Sequence, residues 1–335
     1  MEFLTDFIFR LLNQLQSPTL GFLIGGMLIA ALGSNLKIPN AVYQFIVFVL
    51  LMKIGLKGGI EIREANLSEM LLPAIFAMVI GVIIVLTGCF FFSKLAGINR
   101  EDGIATAGLF GAVSASTLAA AMVLMEESSI TFEAWVPALY PFMDIPALIL
   151  AIVIANIYLK KNSEDSENKV NIGDIIKESL RGSALSALIL GLLLGLLSRP
   201  ENVLESFYEP LFRGFLSVLM LVMGMEAYSR INELRKVAYW YAIYAFIAPI
   251  IHGLIAFGLG YIAHIATGFS PGGVVLLAVM AASNSDISGP PTLRGGIPSA
   301  NPSAYIGAST SVGTPVAIAV CIPLFIALAE IVFKM

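Results

Sequence analysis

The feature that most limits what this chain can fold into is a series of apolar stretches, each about 20 residues long, recurring from end to end. A helix of that length crosses the hydrocarbon core of a bilayer. The stretches around Leu71–Leu95 and Ile145–Leu159 are the plainest. Inside hydrocarbon every backbone N–H and C=O must be paired within the protein, so a spanning segment is a helix or a strand of a closed barrel. Barrel strands would read as alternating segments of about 10 residues, and the sequence shows no such pattern. Composition points the same way. Hydrophobic residues make up 58% of the chain and charged residues 13%, whereas soluble domains run nearer half apolar and a quarter charged. The expectation is an all-α polytopic membrane protein.

Ten spans are expected, near residues 18–36, 41–60, 70–95, 103–124, 134–159, 180–198, 211–229, 238–264, 272–294 and 303–333. The polar run Lys160 to Lys169 divides them into two sets of five and reads as a solvated linker. This gives a first repeat at 1–160, a cytoplasmic linker at 161–178 and a second repeat at 179–335. The two sets resemble each other. Lys53-Ile54-Gly55-Leu56-Lys57 falls where the second has Val222-Met223-Gly224-Met225-Glu226. Gly103 matches Gly273, and Asp144-Ile145-Pro146 matches Thr314-Pro315-Val316, all at an offset of about 169–170 positions. Five is odd, so the second set must enter the membrane from the opposite side. That is an inverted repeat, the construction of many secondary transporters.

Charge placement sets the orientation. With the N-terminus outside, the inner loops carry Lys37, Lys94, Arg100, Lys160, Lys161, Lys169, Lys177, Arg181, Arg230, Arg235, Lys236 and Arg294. The outer side carries only Arg10, Arg63, Arg199 and Lys334. Cytoplasmic loops are the ones enriched in Lys and Arg, so both termini are expected outside and the linker inside. The N-terminus has no basic n-region and no small-residue cleavage site, so no removed leader is expected. No basic tract suits nucleic acid. Cys89 and Cys321 fall in apolar spans and read as packing residues.

Two segments are too polar for their depth. One is Gly111-Ala112-Val113-Ser114-Ala115-Ser116-Thr117. The other is Ala282-Ser283-Asn284-Ser285-Asp286-Ile287-Ser288-Gly289-Pro290-Pro291. They occupy equivalent places in the two repeats. Two prolines after a glycine remove backbone donors and clash with the preceding turn, so the second segment is expected to break its helix. The first lacks proline, and its small residues would also suit close helix packing. Two breaks meeting at mid-membrane would make a polar pocket. Half-helix N-termini and the hydroxyls of Ser114, Ser116, Thr117, Ser285 and Ser288 suit a small anion. Freed carbonyls, hydroxyls, Asn284 and the Asp286 carboxylate suit a hard cation such as sodium. Asp144, between Pro141 and Pro146, could ligate a cation or bond freed backbone.

The remaining ionisable and aromatic residues read more plainly. Lys57 and Glu226 either pair across the molecule or sit at the membrane surface. His252 is expected to pack among small neighbours and His264 to lie at an outer interface. Trp135 and Trp240, with Tyr239 and Tyr241, read as interface anchors.

At these residues the sequence resembles the cyanobacterial sodium-dependent bicarbonate transporter family (SbtA). The resemblance rests on Phe110–Thr117, Ser285–Arg294, Gln16–Leu20, Leu139–Ala147 and Gly296–Gly307. It implies a plasma-membrane symporter that imports bicarbonate with sodium by alternating access, as part of a carbon concentrating mechanism. It implies a homotrimer, with discontinuous helices forming a core domain that moves against a gate domain. It also implies a PII-like, adenine-nucleotide-binding regulator (SbtB) on the cytoplasmic face. Carried over by position, bicarbonate is expected at Ser114, Ala115, Ser116, Thr117, Ser285, Asp286, Ile287 and Ser288. Sodium is expected at Ser114, Asn284, Ser285, Asp286 and Asp144. The linker here is shorter than the family's, and Asn284 stands where a serine is common.

No cofactor is expected beyond sodium as coupling ion. Without the resemblance, the residues restrict the cargo to a small anion with a cation. The same scaffold could carry another anion or act as a passive channel. An intramembrane aspartyl enzyme using Asp144 and Asp286 is the remaining reading, but the two lie in non-equivalent spans with no Gly-x-Gly-Asp motif.

Overall fold

The computed structural model describes residues 18–64, 67–162, 183–234, 239–286 and 289–334. Almost all of the expected linker lies outside these, as does Gln16 of the family-like motif. Among the described residues there is no strand. Seven helical stretches are long and apolar enough to cross a membrane, from Asn40–Ile60 to Pro302–Phe333, and three shorter apolar helices accompany them. The chain is a multi-pass helical membrane protein.

In chain order the helices are α1 (Pro18–Ala31), α2 (Asn40–Glu64), α3 (Leu67–Ser93), α4 (Arg100–Gly111), α5 (Ala115–Glu127) and α6 (Tyr140–Asn162). After the linker come α7 (Ser183–Leu197), α8 (Glu209–Leu234), α9 (Trp240–Thr267), α10 (Pro271–Ala282), α11 (Gly289–Gly296), α12 (Pro302–Ala308) and α13 (Ile322–Phe333). Between α12 and α13 the helix continues through two π-helical turns, Ser309–Gly313 and Ala317–Cys321.

Local chemistry sets the boundaries. α9 closes on Gly268, whose φ of +77° only a residue without a side chain adopts freely, and its N–H returns to the His264 carbonyl. Ser270 then caps α10 by accepting from the Gly273 N–H, with Pro271 in the first turn, where no donor is needed. α5 ends in a Schellman turn. Ile130 N bonds Met125 O at 2.9 Å and Ser129 N bonds Glu126 O at 3.1 Å, with Ser129 left-handed at φ 58°.

Packing sorts the helices into two groups, each drawing on both halves of the chain. α2 lies along α7, and α1 along α8. The seams are built on glycine. A Cβ on Gly55 would come within 2.9 Å of the Gly191 Cα, and one on Gly59 within 2.9 Å of the Gly195 Cα. Gly26 and Gly224 bring α1 and α8 equally close. Small residues at four-residue spacing let membrane helices meet backbone to backbone.

The other group is built from α3 to α6 and α9 to α13. Its broken helices lie at the centre. The apolar window of Arg100–Glu127 is 100% buried, against 39% for Glu69–Ser93, and Gly272–Ala282 of α10 is wholly buried. Polar backbone there is shielded by protein rather than exposed to lipid.

Two latches close this group at its ends. The Asn301 N–H donates to Asp102 Oδ1 at 2.7 Å, tying the start of α12 to the start of α4. The Ser270 N–H donates to Glu133 Oε1 at 2.8 Å, and its hydroxyl donates to Oε2 at 2.5 Å. Each latch joins an element of one half to an element of the other.

Two of the expected anchors are corrected. Trp135 is 3% exposed and stacks on Phe269 at 5.7 Å, and Tyr241 is likewise buried against Phe92. Tyr239 is exposed and Trp240 half-buried. Both cysteines are free thiols.

Candidate functional site

α4 stops at Gly111, and α5 restarts at Ala115. Ala112 and Ser114 between them are extended. Ser114 is the N-cap of α5, its Oγ accepting from the Thr117 N–H at 3.1 Å. The second break runs from Ser283, also extended, to the start of α11 at Gly289. Pro290 therefore sits inside the first turn of α11 rather than in the break. Proline fits a first turn because that N–H has no helical partner, so the chain opens upstream, at the Ser283–Asp286 run. There the Ser285 hydroxyl accepts the Gly289 N–H at 2.8 Å.

The two breaks are laced together. Ser114 N donates to Ser283 Oγ at 2.9 Å, between residues 169 positions apart. Ser285 N donates to the Leu109 carbonyl at 3.0 Å. Ser114 Oγ and Ser116 Oγ are 2.9 Å apart, and the Ser116 hydroxyl donates to Asp286 Oδ2 at 2.6 Å. These bonds form a directed chain. The Thr117 N–H donates to Ser114, Ser114 to Ser116, and Ser116 to the carboxylate.

The following helices buttress the crossing. Asp144 on α6 accepts the freed Val113 N–H through Oδ1 at 3.0 Å. From the last span, Ser309 and Thr314 both donate to Asn284 Oδ1, Thr314 at 2.9 Å. Gly313 leaves room for this, since a Cβ there would come within 2.7 Å of Asn284 Nδ2. The π-helical turn at Ser309–Gly313 and Thr314 just after it supply these contacts, and such turns gather at functional sites.

Several polar atoms remain over. Asp286 Oδ1, Asp144 Oδ2, Thr117 Oγ1, Asn284 Nδ2 and Ser311 Oγ are buried with no hydrogen-bond partner among the described residues. An unsatisfied buried polar group costs about 1–3 kcal/mol, more if charged. Carboxylate and hydroxyl oxygens of this kind are the donors a hard cation takes.

Of the expected site residues, Ser114, Ser116, Thr117, Asn284, Ser285 and Asp286 gather at the crossing, with Ala115 opening α5 and Asp144 beside it. Ile287 and Ser288 lie outside the described residues. Ser309 and Thr314 were missed as site residues. The run Ser309-Thr310-Ser311 in an otherwise apolar span was the available signal.

Lys57 and Glu226 form no ion pair within 4 Å. His252 is buried beside Tyr244, its ring centre 6.1 Å from the phenol ring. His264 contacts the Phe269 carbonyl through Nδ1 at 2.6 Å. Among the described residues no three His, Cys, Asp or Glu side chains group as a metal site.

The model of the Na+-dependent bicarbonate transporter superfamily matches residues 18–330. No curated protein matches the sequence.

Proposed function

The chain belongs to the Na+-dependent bicarbonate transporter superfamily, and from that premise we propose that it is a symporter. It imports bicarbonate together with sodium across the plasma membrane by alternating access. The observation that carries this reading is the Ser116–Asp286 bond at the meeting of two helix breaks, beside carboxylate oxygens with no partner among the described residues.

In this reading the chain has ten spans in two inverted repeats, 1–160 and 179–335. The termini face outward, and the linker at 161–178 is cytoplasmic. The bonds at offsets of 169 and 170 positions support the inversion, because they join equivalent residues at one point. The latches support the assignment of loops to common sides. Asp102 and Asn301 are both expected inside, Glu133 and Ser270 both outside, and each pair meets. The group holding the crossing is the moving core domain, and α1, α2, α7 and α8 form the gate domain.

Sodium binds at Asp286, with Asn284, Ser285, Ser114 and Asp144 contributing. Bicarbonate binds beside it at Ser114, Ala115, Ser116 and Thr117 from one break and at Ser285, Asp286, Ile287 and Ser288 from the other. The N-termini of α5 and α11 present their positive dipole ends to the anion, a pairing of ion sites known from broken-helix transporters. One sodium with one bicarbonate moves no net charge, so the sodium gradient drives the step. A tenfold gradient supplies about 1.4 kcal/mol. Any further sodium adds about 2.3 kcal/mol per 100 mV. No chemical step is assigned to Asp144 or Asp286. Assembly as a homotrimer, and control by a PII-like nucleotide-binding regulator on the cytoplasmic face, belong to the same reading through the family resemblance.

The test is bicarbonate uptake into proteoliposomes with and without an inward sodium gradient. Uptake indifferent to sodium, or unchanged in a folded Asp286→Ala variant, overturns the coupling. Competition by nitrate or small carboxylates distinguishes another anion as cargo.

A further inference from the structure

A second space lies between the two helix groups. A cavity of about 450 Å³ is lined by Lys53 and Lys57 of α2, Glu209 and Arg213 of α8, and Met122 and Glu126 of α5. α5 runs unbroken from its cap at Ser114, so Met122 stands about 12 Å along the helix from the crossing.

The charges in this cavity do not cancel. Arg213 and Glu126 face each other at 3.2 Å, both largely exposed. The Lys53 ammonium rests over the Phe212 ring at 4.2 Å. Among the described side chains, which do not include that of Glu61 on the same helix, neither it nor Lys57 has a carboxylate within 4 Å. Glu209 is the one remaining acid among the lining residues, against two lysines. The position equivalent to Lys57 in the second repeat is Glu226. It sits at the far side of the crossing, where it and Asp286 are both within electrostatic reach of the Tyr43 phenol.

We propose that the cavity is an anion-collecting vestibule, in which Lys57 and Lys53 concentrate bicarbonate before it passes to Ser114–Thr117. This rests on the cargo and orientation proposed above. The vestibule cannot change the equilibrium, which the sodium gradient sets. It acts on encounter. A cleft with an excess of one sign of charge raises the local concentration of the opposite ion, and salt screens the effect.

Two measurements test this in cells expressing the full chain. The first needs no transport. Ser129, exposed in the cavity lining, is replaced by cysteine, and impermeant anionic and cationic thiosulfonates are applied from outside. The anionic reagent is expected to react faster, and Lys57→Gln to reduce the preference by about threefold to tenfold. Equal rates, a preference that survives Lys57→Gln, or no reaction from outside overturns the proposal.

The second is initial uptake against external bicarbonate at fixed sodium. Lys57→Gln is expected to raise KM by about threefold to tenfold at low ionic strength, with the maximal rate kept and Lys57→Arg restoring KM. The difference is expected to close in about 0.5 M choline chloride, where screening acts within a few ångströms. An unchanged KM, or a shift indifferent to salt, overturns it. If the reagent preference holds but sodium-driven bicarbonate uptake is absent, the cargo assignment falls and the anion vestibule stands.

Discussion

The Ser116 hydroxyl donates to Asp286 Oδ2 over 2.6 Å, and the two residues stand 170 positions apart, the spacing of the two halves themselves. The bond fixes the carboxylate and leaves its other oxygen open among the described residues. A hydrogen bond to a charged group is worth about 1.5–3 kcal/mol. Ser116→Ala is therefore expected to weaken sodium activation by about tenfold or more. Asp286→Asn is expected to abolish it while the protein still folds. Uptake against sodium concentration reads both, and an unchanged half-saturation in Ser116→Ala contradicts the role given to this pair.

Asp144 combines two functions that substitution can separate. Its Oδ1 holds the Val113 N–H at 3.0 Å, while Oδ2 has no partner among the described residues. Asp144→Asn keeps an acceptor for Val113, so its melting temperature is expected to stay near that of the parent while sodium activation falls. Asp144→Leu orphans the N–H and is expected to lose about 1–3 kcal/mol of stability. If Asp144→Asn transports with normal sodium dependence, the residue is a backbone anchor alone.

The seam between α1 and α8 offers an internal control. A Cβ on Gly26 would lie within 2.9 Å of the Leu221 carbonyl carbon, whereas one on Gly25 meets nothing within 4 Å. Gly26→Ala is expected to lower folded yield and melting temperature clearly, because overpacking of this kind costs about 1–3 kcal/mol. Gly25→Ala is expected to behave as the parent. Equal behaviour of the two variants in detergent melting would show that the seam is looser than described.

The latches lie at opposite ends of the group that holds the crossing, and their energies should add. Ser270→Ala removes the cap of α10 and one bond to Glu133, for an expected loss of about 1–2 kcal/mol. Asp102→Ala leaves the Asn301 N–H without its acceptor, for about 1–3 kcal/mol. Distant sites add to within about 0.5 kcal/mol. A double variant measured by unfolding should match the sum.

The membrane spans were legible because hydrocarbon imposes length and apolarity on each segment separately. The crossing was legible in part. Gly289-Pro290-Pro291 signalled a break, but the prolines head α11, and the chain opens earlier, at Ser283. The hydroxyl run at Ser114–Thr117 marked the first break without any proline. What stayed hidden depends on contacts between distant segments. Nothing in the local sequence of Ser309 and Thr314 says that they meet Asn284. Gly55 and Gly191 read as ordinary membrane glycines until α2 and α7 lie side by side. Trp135 has the composition of an interface anchor, and only its stacking on Phe269 shows it buried.

The bonds at the crossing all run between helices of a single group: α4, α5, α6, the Ser283–Asp286 run and the last span. An ion seated there keeps its whole set of ligands if that group shifts against α1, α2, α7 and α8. It would shed its water once on entering and regain it once on leaving. The slow step would then be the movement of one helix group over the other, a step that the surrounding lipid can resist or ease.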